Sequence, residues 1–154
     1  MQTTKEHLDD GSAVVATGGD TPNLRAGRRK PAMEQTWFVI GCLAMVLGVA
    51  AGAFAAHGLK GQLSADNLDI WQTAARYHLY HGLGLLAVAY AATRWSAGLT
   101  TAAGWLFVAG ILLFSGSLYI LAASGAKWLG AITPLGGLCF LAGWGSLALA
   151  AWRG

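Results

Sequence analysis

From residue 37 onward the chain runs in four long apolar stretches separated by short polar breaks. The first, Trp37 to Ala56, is 20 residues without a charge, about the length needed to cross a hydrocarbon core of about 30 Å. The others cover about 74–93, 101–123 and 129–151. Arg94 with Trp95, and Lys127 with Trp128, mark two of the breaks. Lipid offers no partner to a backbone amide, so segments of this kind must satisfy their hydrogen bonds internally and are predicted as helices. The pattern therefore predicts an all-α fold, an integral membrane four-helix bundle. Residues 1–35 read differently. They are polar, rich in Gly, Thr and Asp, and close on Arg25, Arg28, Arg29 and Lys30. No helical or strand period runs through them, so a disordered N-terminal extension is expected there, ahead of a four-span domain over 36–154. Its basic end would suit anionic headgroups.

Composition agrees with this division. Hydrophobic residues make up 55% of the 154 and charged residues only 11%, against about 25% in an average soluble domain. No Asp or Glu follows Asp69, as expected where charges would lie in lipid. The net charge of +3 sits mostly in short flanks, so no nucleic-acid surface is read into it. Trp37, Trp71, Trp95, Trp128 and Trp152 fall near span ends, as interfacial tryptophans do. Six basic residues against three place both termini in the cytoplasm of a multi-pass protein of the inner (plasma) membrane. Ala53-Phe54-Ala55 also resembles a signal-peptidase site. The preceding run is longer than a usual signal core of about 7 to 15 residues, which favours a span. Cys42 and Cys139 fall at different depths and are expected as unpaired core thiols.

Within the spans, small residues and a few polar ones carry the remaining information. Ala44, Gly48, Gly52 and Ala56 recur every four residues, predicting a close helix-packing face centred on Gly48 and Gly52. Gly136 and Gly143 are expected to pack helix 4 in the same way, inside the bundle or against a second copy. With alternating helix directions, His57, Tyr77, His81, Ser115, Ser117, Tyr119 and Thr133 converge in one leaflet. Singly these are unremarkable. His57 before Gly58 could end helix 1, with the glycine turning left-handed, and serines can bond back to their own helices. Together they form a polar cluster at a depth where such groups are costly and often functional.

Three functions fit that cluster. The first is a structural or accessory protein whose polar groups fix helix register and dock another membrane protein or a second copy. The second is a proton or small-solute conduit lined by His81, Tyr77, Ser115 and Tyr119. The third, a haem- or metal-binding redox subunit, rests on His57, His78 and His81. It lacks a carboxylate and a specific ligand spacing, so no metal or other cofactor is expected. No nucleophile, base and orienting group can be assembled, so no enzyme is expected.

The motifs GAFAAHGLK (52–60), YHLYH (77–81), LFSGSLY (113–119) and TPLGGLCFLAGW (133–144) resemble a family of small bacterial inner-membrane proteins. That family is the domain of unknown function 423, whose eukaryotic relatives include transmembrane protein 256. The resemblance runs over roughly 36–152. By position it singles out Gly52, Phe54, His57 and Gly58, then Tyr77 and His81, then Ser115, Gly116, Ser117 and Tyr119, then Thr133, Pro134, Gly136 and Gly137. Ala55 stands where the family usually has Gly, and His78 lies outside its pattern. The resemblance implies a small multi-span membrane protein and brings no activity with it.

Overall fold

A computed structural model describes residues 32–154. Most of the extension expected over 1–35 lies outside the described residues. Helix α1 covers Met33–His57 and already begins within that expected extension. Helix α2 covers Ala65–Ala92. A third rod joins α3 (Ala97–Gly110), a π-helical turn (Ile111–Gly116) and α4 (Ser117–Ser124) without interruption. A 3-10 turn at Lys127–Ala131 leads into α5, Thr133–Arg153.

α2 starts nine residues before the apolar run that predicted it. Ser64 caps it, its hydroxyl accepting from the Asn67 amide at 3.2 Å, and Asp66 sits in the first turn. An acidic group there suits the positive end of the helix dipole. Helix formation therefore extends into the polar segment that hydropathy assigns to a loop. α1 ends on Gly58 with φ −91°, a right-handed conformation, so the expected left-handed glycine is not there. A side chain at 58 would instead strike the Phe54 ring at 2.5 Å. Among the described residues the left-handed ones are Gly61 (φ 89°) and Gly125, which ends α4 at φ 72°.

Three rods are long and apolar enough to cross a membrane: Met33–His57, Ala97–Ser124 and Lys127–Arg153. α2 carries Asp66, Asp69, Arg76, His78 and His81 and is the most polar of the four. It is also the central one, packing on α1, on the third rod and on α5. At 28 residues it is about 42 Å long, ample for a crossing. Protein surrounds its two histidines, His78 and His81, both buried, whereas Asp66, Asp69 and Arg76 in its first half are exposed.

The buried face of α1 is Trp37, Gly41, Ala44, Gly48 and Ala55. The predicted ladder at 44, 48, 52 and 56 is corrected here. Steps of four rotate the helix about 40° past a full turn each time, so three steps carry Ala56 about 120° away. Ala56 is exposed, and a Cβ on Gly52 would meet nothing within 4 Å. Alternating steps of three and four keep the face on α2, where Gly41 admits Leu86 and Gly48 admits Leu79. Trp37 is 1% exposed, packed edge-on to Trp105 at 5.5 Å, so it belongs to the core and not to an interfacial belt. Cys42 is exposed and Cys139 half-buried, both as free thiols, so Cys42 is no core residue.

This register makes a direct prediction. Gly52→Ala is expected to stabilise the chain by up to about 1 kcal/mol through helix propensity alone. In Gly48→Ala that gain is offset, because the new Cβ would stand 2.8 Å from Leu79. Melting of the two purified variants in one detergent measures the difference. Equal melting shifts would restore the fourfold ladder.

Candidate functional site

The core centres on Phe107 and Leu85, both 0% exposed, with Val88, Ala103 and Phe140 around them. Immediately beyond, α2, the π turn and α5 bring aromatic rings and the histidines together. The π turn is set by a close approach. A Cβ on Gly136 would fall on the backbone nitrogen of Phe114, so α5 lies directly against the turn. A Cβ on Gly110 would likewise meet the Phe140 ring. Insertions of this kind locally widen a helix and often mark functional sites.

His81 is stacked on Phe140, with centroids 3.3 Å apart and planes inclined by 5°. Phe107 and Trp144 lie tilted beside it at 5.6 and 6.4 Å. Its Nδ1 is 2.7 Å from the Tyr77 carbonyl. A carbonyl only accepts, so Nδ1 carries the proton and donates, which leaves Nε2 with its lone pair on the far edge. Tyr77 packs on Phe114 at 4.5 Å. These side chains border a cavity of about 410 Å³ lined by Tyr77, His81, Phe114, Pro134, Phe140 and Trp144, among others.

The remaining predicted polar residues divide into separate groups. Ser117 shares a 3.0 Å hydrogen bond with Thr133 and donates to the Phe114 carbonyl, fastening the start of α5 to the third rod. Tyr119 reaches His78 at 3.5 Å and packs on Trp71 at 4.7 Å. Trp71 donates to the Ala51 carbonyl at 2.9 Å, tying α2 to α1. Ser115 is 0% exposed, and its hydroxyl has no partner among the described residues. His57 is exposed and makes no hydrogen bond in this group, so the expected convergence of His57 with the others is not formed. It ends α1, outside the helix contacts that gather the other residues. Among the described residues no three His, Cys, Asp or Glu side chains converge as metal ligands.

Phe107, Phe114, Phe140 and Trp144 were not singled out by polarity or charge. Phe114, Phe140 and Trp144 lie inside the quoted motifs LFSGSLY and TPLGGLCFLAGW, which was the only sequence signal for them. His78, which is not among the residues expected in the polar cluster, is buried against Tyr119.

A family model described as "Protein of unknown function (DUF423)" matches residues 51–137. The chain belongs to this family. Among curated proteins it is 48% identical over 118 residues to the UPF0382 membrane protein YwdK of Bacillus subtilis. That match covers 76% of this chain and 96% of the relative. The UPF0382 membrane protein SH2409 of Staphylococcus haemolyticus is 44% identical over 117 residues, with 76% and 95% covered. The UPF0382 membrane protein SSP2132 of Staphylococcus saprophyticus is 43% identical over 119 residues, with 77% and 98% covered. No solved structure matches the chain significantly. This DUF423 protein is thus a polytopic membrane protein, and the family model spans every residue of the polar groups described above. The α5 wall of the cavity from Phe140 to Trp144 lies beyond that matched stretch.

Proposed function

We propose that this DUF423 protein is an accessory protein of the inner (plasma) membrane, with both termini cytoplasmic, that docks another membrane protein and catalyses no reaction itself. One observation carries this reading over a conduit. Next to His81, along the axis of α2, the space between the helices is filled by Leu85, Val88, Ala103 and Phe107, each 0% exposed. A proton path needs polar side chains or water in series, and close-packed apolar side chains offer neither. The polar groups on the other side of that plug are largely engaged in holding helices together, Ser117 to Thr133 and Trp71 to Ala51. Such bonds are worth about 0.6 kcal/mol each on average in membrane proteins, enough to set register. The outward residues of α1, including Phe38, Val46 and Leu47, are more than half exposed and would face lipid or a docked partner.

The test pairs two measurements. Native mass spectrometry of the complex released from its own membranes in mild detergent is expected to show a second, different chain in fixed ratio. Purified protein in liposomes with a pH-sensitive dye is expected to leak protons no faster than empty liposomes. Proton flux above that background, abolished by His81→Leu, would establish the conduit in place of the accessory role.

A further inference from the structure

We propose that the cavity beside His81 binds the hydroxylated ring of a membrane-soluble phenol or quinol. This inference stands independently of the accessory role, since it rests on the chemistry of one cavity.

The cavity has a specific hydrogen-bonding polarity. His81 is 5% exposed and donates from Nδ1 to the Tyr77 carbonyl at 2.7 Å. In the neutral imidazole Nε2 is therefore an acceptor, and no hydrogen bond joins it to another of the described residues. His81 lines the cavity, and Nε2 is not one of the fully enclosed unpartnered atoms, so it remains open to a partner from outside the chain. At this depth little water is present to supply a donor. A ligand that brings an O–H relieves the deficit. A ketone, ether or ester brings only further lone pairs.

The walls specify the rest of the ligand. Phe140 covers one face of the imidazole at 3.3 Å, so a hydroxyl must approach Nε2 along the ring edge. Phe114 and Trp144 then flank the incoming group. Aromatic walls favour a flat ring held by offset or edge-to-face contacts over a flexible alkyl chain. At about 410 Å³ the cavity lies within the ordinary range of small-molecule sites, roughly 300–1,000 Å³, and has room for one substituted ring. Its rim includes Leu138 and Leu141, 61% and 71% exposed. Entry is thus from the side of the helix bundle, where lipid lies, and the ligand must be lipid-soluble. A larger groove between α1 and α2, lined by Phe38, Val39, Leu86 and Ala89 together with Glu34 and Gln35, contains no histidine.

The test uses 4-tert-butylphenol, tert-butylhydroquinone and 4-tert-butylanisole with the full chain in lipid nanodiscs, with histidines labelled by ¹⁵N. The phenol and the hydroquinone are expected to move the His81 Nε2 resonance and to bind at least tenfold tighter than the anisole, which has no donor. His81→Phe keeps a flat ring against Phe140 and is expected to erase that tenfold preference while helicity is retained. Tighter binding of hydroquinone than phenol would point to a quinol as source, and equal binding to a simple phenol; either supports the shared chemistry. Equal binding of anisole and phenol, an unmoved Nε2 resonance, or a preference that survives His81→Phe would overturn the proposal. Should His81→Phe fail to fold, the phenol–anisole comparison and the resonance on the unaltered protein still decide it.

Discussion

Gly136→Ala is expected to destabilise this protein, whereas Gly137→Ala, one residue on, should leave it unchanged or slightly firmer. Both substitutions bring the same helix-propensity gain, at most about 1 kcal/mol. They differ in what the new methyl group meets. At 137 the nearest atom is in the Phe114 side chain, at 4.0 Å, an ordinary contact. At 136 the methyl would land on the backbone nitrogen, Cα and Cβ of Phe114. Backbone cannot rotate aside as a side chain can, so α5 or the π turn has to move. Overpacking of this kind costs about 1–3 kcal/mol and occasionally more, and the rigid obstacle puts Gly136→Ala at or above the top of that range. The displacement would also strain the Ser117–Thr133 bond at the same contact, 3.0 Å long in the native protein. Denaturant titration of the two variants in mild detergent reads the difference directly. Equal midpoints would mean that α5 does not sit on the π turn as described.

The parts of the fold that follow from hydropathy were the most legible. Uncharged runs of about 20 residues leave the backbone few alternatives in lipid, so four helices with short connections could be expected. Helix ends were less legible, because local capping sets them independently of hydropathy. α2 is the example: Ser64 and Asp66 start it well before its apolar run begins. The face of α1 was misread for a geometric reason. A repeat of exactly four residues is conspicuous in a sequence, yet it winds around a helix of 3.6 residues per turn. The register that stays on one side reaches Trp37, Gly41, Ala44 and Gly48, mixing one of the largest residues with the smallest.

The site was legible as an inventory of residues and much less so as an arrangement. Polar residues in apolar spans stand out, and Tyr77, His81, Ser117, Tyr119 and Thr133 all sit in the region where α2, the third rod and α5 meet. Their pairings depend on helix rotation, which the π turn alters. A one-residue insertion in the hydrogen-bond ladder leaves no mark in composition. The aromatic surroundings of His81 were hidden for a different reason. Phe107, Phe114, Phe140 and Trp144 look like any other apolar residues in a membrane span. Only their convergence on one imidazole sets them apart.

Phe107 is where the largest loss is expected. Its ring is 0% exposed, packs on Trp144 at 4.9 Å and on His81 at 5.6 Å, and fits between two glycines. A Cβ on Gly143 would stand 2.6 Å from the ring, and one on Gly84 would stand 3.1 Å from it. Removing a buried phenylalanine side chain costs about 3–5 kcal/mol, the upper part of the range applying where neighbours cannot collapse into the space. Here the neighbours on both sides are helix backbone, so Phe107→Ala should fall in that upper part. Gly143→Ala alone is also expected to destabilise, because its methyl and the ring would compete for one space. The double variant, Phe107→Ala with Gly143→Ala, puts the added methyl into the vacated volume. Its cost should be smaller than the sum of the two single costs by about 1–2 kcal/mol, within the usual range for residues in contact. Additive costs would show that the ring and the glycine do not share one space. The same cycle separates packing from ligand chemistry, since neither substitution removes an atom of the Nδ1 bond to the Tyr77 carbonyl. Stability lost together with an unmoved Nε2 resonance would confine Phe107 to packing in the core beside the cavity. A resonance that moves in Phe107→Ala without any ligand would show that the ring also holds the imidazole in place.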